Sequence, residues 1–118
     1  MDIRNRAFVG SASARRAYLL DILKKAKADD FVYPSMHLAE RMAERNIDPI
    51  DVARMSVPII KFFRETTYND RSICVLWKDM KLAAHIRIGA TTGKRMVLLK
   101  TVYGHRDRHE YDETFKVD

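Results

Sequence analysis

Three side chains suited to phosphate chemistry follow one another at a regular spacing in the first half of the chain. His37, Arg41 and Arg45 lie four residues apart, so a helix places them on one face. An imidazole titrates near neutral pH, and a guanidinium presents several N–H donors in a planar fork. One helix face would therefore combine a proton donor or acceptor with two fixed positive charges, which indicates contact with phosphate groups.

Local signals mark both ends of this helix. The Ser35 hydroxyl can accept a backbone N–H at its start, and Asn46 tolerates the left-handed conformation in which a helix often ends. The segment also carries an apolar stripe at three-to-four spacing, formed by Met36, Ala39, Met42 and Ala43. This pattern predicts a short amphipathic helix that packs its stripe on the core and turns its basic face outward.

Two further helices and a run of strands complete the expected elements. Helical spacing predicts one helix over residues 11–28, and Asp48 with Pro49 predicts the start of a third helix that ends before Pro58. Strand patterns follow at 59–67, 72–78, 82–88 and 96–103. Because short turns join consecutive strands, the sequence predicts an α+β fold with N-terminal helices packed on one face of a four-stranded antiparallel sheet.

Alternation along the predicted third strand separates a polar face from an apolar one. His85 and Arg87 point away from the side of Ile86, so they are expected on the sheet face that the helices leave open. Arg64 and Lys100 are expected to add positive charge to this face or its rim.

The predicted fourth strand divides into two sets. Val97, Leu99, Thr101 and Tyr103 share one face, opposite Leu98, Lys100 and Val102. Alternation of side chains along the strand does not decide which of the two sets lies on the same sheet face as His85.

The motif residues together resemble a known family. A family of small bacterial domains carries the pattern Ser-x-His-Ala-x-x-Arg-Met-x-Glu-Arg-Gly-Ile, then Asp-Val, then four strands that end near Thr-Val-Tyr. The corresponding residues are Ser35, His37, Arg41, Met42, Glu44, Arg45, Ile47, Asp51, Val52, Thr101, Val102 and Tyr103, with Leu38 in place of Ala and Asn46 in place of Gly. This family is similar to the barnase–EndoU–colicin–RelE superfold of small ribonucleases and toxins.

The resemblance implies a domain organisation and the position of a site. The length of the chain predicts a single domain, 1–118. The resemblance implies a RelE-like core at 35–104, and it does not cover the extension with one helix at 1–34 or the tail at 105–118, which is acidic by composition. It also favours a site near the end of the fourth strand, which would place Thr101 and Tyr103 beside His85.

Charge and composition favour a nucleic-acid partner. The chain has 22 Lys and Arg against 16 Asp and Glu, for a net charge of +6, and a basic body attracts polyanions such as RNA. No apolar run is long enough for a membrane span, so no membrane partner is expected. Cys74 is the only cysteine, which excludes an internal disulfide and fits a cytoplasmic location.

These observations together predict an RNA-binding protein of toxin type that acts as a metal-independent endoribonuclease. His37 or His85 would be the base or the acid, Tyr103 the other, and Arg41 and Arg87 would stabilise charge. The expected RNA-binding residues are Arg64, Arg87, Lys100 and Thr101. No cofactor or metal is expected, because His105 and His109 have no evident further ligand.

Several alternatives remain open at this point. His37 could cap or brace its helix, Arg41 could pair with Glu40 or Glu44, and His85 could be a core residue. The whole protein could instead be a non-catalytic RNA-binding or partner-inhibiting protein on the same fold. A further alternative is a toxin-like protein whose basic face is covered by an acidic antitoxin or another protein partner.

Overall fold

A computed structural model describes residues 10–104 and 110–118 of the chain, so His105 and His109 lie outside the described residues. The described elements, in chain order, are α1 (Ala12–Lys25), β1 (Val32–Pro34), α2 (Met36–Glu44), α3 (Pro49–Glu65), β2 (Arg71–Trp77), β3 (Met80–Ile88), β4 (Arg95–Gly104) and β5 (Glu113–Lys116). None of the helices in these two ranges is both long and apolar enough to cross a membrane.

The strands form one mixed sheet in the order β1-β4-β3-β2-β5. The central strand β3 pairs antiparallel with β2 on one side and β4 on the other, whereas β1 lies parallel to β4 and β5 lies parallel to β2. The α+β class is therefore confirmed, but the four-stranded antiparallel sheet is wrong, because the described sheet has five strands and two parallel edges. Both edge strands are short, and each pairs with a strand that is distant in sequence.

The strand expected at 59–67 is also wrong, because α3 continues through Pro58 as far as Glu65. Proline removes one intrahelical hydrogen bond, yet the helix keeps an apolar stripe on both sides of it. Val52, Met55 and Ile59 are spaced three and four residues apart and fully buried. Burial of this stripe against the sheet outweighs the strand propensity of the β-branched and aromatic residues that follow.

The core lies between the helices and one face of the sheet. The largest fully buried side chains come from both layers and include Leu19, Leu23, Leu38, Met42, Met55, Ile59, Ile73, Leu82, Ile86 and Leu99. In α2 the buried residues are Leu38, Ala39 and Met42, while Met36, expected in the stripe, is 49% exposed. The opposite face of the sheet carries no helix among the described residues, so it is available to form a site.

Helix α2 is fixed at both ends by side chains that also contact other elements. The Ser35 hydroxyl accepts from the Leu38 N–H at 3.0 Å and donates to the Lys100 carbonyl of β4 at 2.7 Å. At the other end Asn46 has φ of 52°, as predicted for the residue that ends the helix. The buried Arg15 of α1 donates to the Asn46 side chain at 2.9 Å and to the Ile47 carbonyl at 2.8 Å. These bonds fix where α2 meets the sheet.

The double role of Ser35 predicts a large stability loss when this half-buried serine is replaced. Ser35→Ala should lower the free energy of unfolding by about 1–2 kcal/mol, at the upper end of what an N-cap contributes, because the Lys100 carbonyl also loses its donor. Ser11→Ala is the matched control, since the Ser11 hydroxyl caps α1 by accepting from the Ala14 N–H at 3.2 Å. Urea unfolding followed by circular dichroism measures both variants. Equal losses in the two would contradict a contribution from the bond to Lys100.

Candidate functional site

A β-bulge in β4 determines which side chains share the open sheet face. In the register between β3 and β4, Ala83 pairs with Thr101 and Ala84 pairs with Leu99, so Lys100 is the extra residue. A bulge of this kind shifts the alternation by one residue. The side chains that follow the bulge therefore lie on the opposite face from the one that regular alternation along β4 would give them.

The bulge corrects the expected division of β4. Val97, Leu99 and Val102 are buried, whereas Lys100, Thr101 and Tyr103 line the same cleft as His85. The expectation that Thr101 and Tyr103 share a face with Val97 and Leu99 is thus wrong. Thr101 and Tyr103 line the same cleft as His85, but the bulge brings them there, whereas regular alternation would not.

One cleft of about 540 Å³ lies on the open face and is here called the main cleft. It brings together six of the predicted site residues from α2, β3 and β4, namely His37, Arg41, His85, Lys100, Thr101 and Tyr103. Arg45 and Ser72 also line it, as do Glu110 and Tyr111 of the segment before β5. The lining therefore combines two imidazoles and two tyrosines with three fixed positive charges and one carboxylate.

Helix α2 contributes a histidine and two arginines to the main cleft. His37 is exposed, and the capping role considered for it belongs to Ser35. The Arg41 guanidinium lies 3.3 Å from the Glu44 carboxylate, with the side chains 39% and 61% exposed. A surface pair of this kind contributes little stability, and Arg41 has further N–H donors for a ligand in the cleft.

The His85 ring is oriented by a carboxylate. Its Nε2 lies 2.5 Å from Oδ1 of Asp70, which belongs to the turn before β2, and the His85 side chain is 32% exposed. His85 is therefore not a core residue. When the ring is neutral, its proton lies on Nε2 towards Asp70, and Nδ1 is left as the acceptor.

The segment before β5 forms one wall of the main cleft. The Tyr103 and Tyr111 hydroxyls are in hydrogen-bonding contact, and the ammonium of Lys81 lies 5.7 Å and 5.9 Å from the centres of the two rings. Lys81 is only 7% exposed. Tyr111 lines the main cleft, Lys81 lies beside its ring, and Asp70 contacts His85. None of the three is among the predicted site residues, because the sequence gives no local signal for these positions.

Hydrogen bonds to β2 hold this wall in place. The Asp112 carboxylate accepts from the Ser72 N–H at 2.9 Å and from its hydroxyl at 3.1 Å, and these bonds lower the pKa of Asp112. The next residue, Glu113, accepts from Arg71 at 2.8 Å and 3.1 Å, and this raises the pKa of the Arg71 guanidinium. The acidic tail is thus joined to the sheet beside the main cleft.

A second cleft of about 440 Å³ adjoins the first. It contains Arg87 and Asp70 and shares His85 and Lys100 with the main cleft. Arg64, expected on the open face, lines neither cleft and lies instead on α3. Its guanidinium donates to the Lys27 carbonyl at 3.2 Å and lies 5.4 Å from the centre of the Phe31 ring.

No family model, curated protein or solved structure matches the chain. Within residues 10–104 and 110–118, no group of three or more His, Cys, Asp or Glu side chains is placed to hold a metal ion. Two imidazoles and a tyrosine can transfer protons, and Arg41, Arg45 and Lys100 can bind anionic oxygens.

Proposed function

We propose that the protein binds RNA in the main cleft and cleaves it as a metal-independent endoribonuclease of toxin type, on a RelE-like fold and in the cytoplasm. The observation that carries the proposal is the presence of His37, Arg41, His85 and Tyr103 in one open cleft. These four residues come from three elements, α2, β3 and β4. The net charge of +6 provides the general attraction for a polyanion.

The proposed reaction is the attack of a ribose 2′-hydroxyl on the adjacent phosphorus. A base takes the 2′ proton, the bond from phosphorus to the 5′ oxygen breaks, and an acid protonates that leaving oxygen. The products are a 2′,3′-cyclic phosphate and a free 5′-hydroxyl. Cations near the phosphate oxygens stabilise the charge that develops on them in the transition state.

Contacts in the cleft favour one assignment of these roles. His85 is the base, because Asp70 holds its Nε2 and leaves Nδ1 to accept the proton. His37 is the acid, since the hydroxyl of Tyr103 is already engaged by Tyr111. The donors for the phosphate oxygens are Arg41 and Lys100, both of which line the same cleft.

The proposal predicts cleavage of single-stranded RNA by the purified protein in EDTA, with cyclic-phosphate ends. Binding should weaken steeply as salt rises, because each neutralised phosphate releases counterions. Gel separation of end-labelled RNA and fluorescence anisotropy measure the two effects. Failure to bind RNA even at low salt would contradict the proposal.

Paired arginine variants sharpen this experiment. Arg41→Lys keeps the charge but loses the planar fork, so a bidentate phosphate contact should weaken even though the charge remains. Arg64→Lys is the matched control, because Arg64 lies on α3 and lines neither cleft. If Arg41→Ala leaves both binding and cleavage unchanged, the site does not lie beside α2.

A specific contact also favours a second candidate function. With its hydroxyl engaged by Tyr111, Tyr103 offers a ring for contact with bases in place of a group for proton transfer. A cleft that contacts bases without transferring protons suits a non-catalytic RNA-binding or partner-inhibiting protein. An acidic protein could be a further partner of such a protein. RNA that stays intact while bound would support this second function.

A further inference from the structure

The second cleft differs in chemistry from the main cleft. Leu98 and Ile88 supply apolar surface, and Ile88 is 42% exposed. The Asn69 amide and the Asp70 carboxylate supply polar groups at the same cleft. An apolar surface with a few polar groups is the arrangement that recognises a flat heterocycle with hydrogen-bonding edges.

An aromatic ring lies beside this apolar surface. Tyr33 of β1 pairs with Leu98 of β4, so the two side chains lie next to each other on the open face, and Tyr33 is 37% exposed. Unpaired bases of single-stranded RNA stack on exposed aromatic side chains of this kind. The pair of Leu98 and Tyr33 therefore offers a surface for one base.

The two clefts meet at His85 and Lys100, which line both of them. A phosphate held by these two side chains would have one nucleotide in the main cleft and its neighbour in the second cleft. Arg87 lines the second cleft as well. Its positive charge offsets the negative charge of Asp70, which would otherwise repel the phosphates of an RNA chain. Two adjoining clefts that share a cationic side chain suit two successive nucleotides better than a single small anion.

The Asp70 carboxylate determines which base fits best. Its Oδ1 contacts His85, and an ionised carboxylate has a second oxygen that can only accept hydrogen bonds. Cytosine presents an amino group where uracil presents a carbonyl oxygen, and Asp or Glu accepts from that amino group. A carboxylate in the cleft would therefore attract cytosine and repel the O4 edge of uracil.

We propose that the second cleft is a nucleobase subsite that selects bases with an exocyclic amino group through Asp70. This inference rests on the proposed function, because it assigns the nucleotide next to the cleaved phosphate to that subsite. Asp70 then serves two purposes: it orients His85 and reads the neighbouring base. The expected RNA preference is for cytosine over uracil at this position.

The test uses short 2′-deoxy oligonucleotides made only of cytosine or only of uracil, which cannot react by the proposed route. Fluorescence anisotropy at low salt should show about fivefold tighter binding of the cytosine oligonucleotide, the low end of base discrimination, because the Asp70 side chain is 84% exposed. Asp70→Asn should abolish the preference. Asp79→Asn, in the turn between β2 and β3, should keep it and is the matched control.

The outcomes separate this inference from the proposed function. His85→Ala should retain the cytosine preference, since the Asp70 carboxylate remains. Equal affinity for the two oligonucleotides, or a preference that survives Asp70→Asn, would overturn the base subsite while RNA cleavage stands. If neither oligonucleotide nor RNA binds, the proposed function and the inference fall together.

Discussion

His85→Ala should reduce RNA cleavage by about a hundredfold or more, the scale expected for loss of a general base. The variant should unfold at nearly the same urea concentration as the unaltered protein, because His85 is not in the core and a surface contact with the exposed Asp70 contributes little stability. RNA binding should fall much less than the cleavage rate. Single-turnover cleavage of end-labelled RNA, with unfolding curves measured beside it, checks all three expectations.

Substitution of His37 separates a catalytic role from a structural one. His37→Ala should slow cleavage by about a hundredfold or more, the scale expected for loss of a general acid. Its stability should change little, because His37 is exposed. Single-turnover cleavage and urea unfolding measure the two effects. If instead His37→Ala loses activity only in proportion to folded protein, His37 has a structural role and the acid must be sought elsewhere.

Local signals were sufficient to predict the basic helix and the three central strands. Ser35 and Asn46 act at the two ends of α2 as their chemistry predicts. The central strands are joined by short turns, so their antiparallel pairing depends on neighbours in the sequence. The presence of His37 and Arg41 beside one cleft follows from a spacing that can be read directly from the chain.

Elements that depend on distant contacts were not predicted. The segment after Pro58 has strand-like residues, yet it remains helical because Ile59 and Ile60 are buried with the rest of α3. The strands β1 and β5 are three and four residues long, and each is defined by pairing with a strand far away in the sequence. Short segments of this kind have too little periodicity to identify them without the rest of the sheet.

The site was only partly predictable for a related reason. A single bulged residue, Lys100, moves Thr101 and Tyr103 onto the face of His85, and the alternating pattern contains no sign of it. Tyr111 and Asp70 reach the site through a returning tail and a turn. Their positions follow from the complete sheet, whereas the nearby sequence carries no motif for them.

Removal of the 2′-hydroxyl from the substrate should have the largest effect on cleavage. In the proposed reaction the attacking atom is the 2′ oxygen of the RNA itself, so a substrate with a single 2′-deoxy sugar at the cleavage position has no nucleophile. Cleavage at that position should disappear, while binding should remain within about twofold, because phosphate contacts are unchanged. Cleavage at neighbouring ribose positions serves as the internal control.

Comparison of this substrate with its all-ribose counterpart, in EDTA and at one protein concentration, tests the central claim most directly. The account predicts a cut and a cyclic-phosphate end with the all-ribose RNA, and an uncut position with the deoxy sugar. Equal cleavage of the two substrates would contradict attack by the 2′-hydroxyl. If neither substrate is cleaved although both bind, the proposed endoribonuclease activity is wrong and the main cleft is an RNA-binding site only.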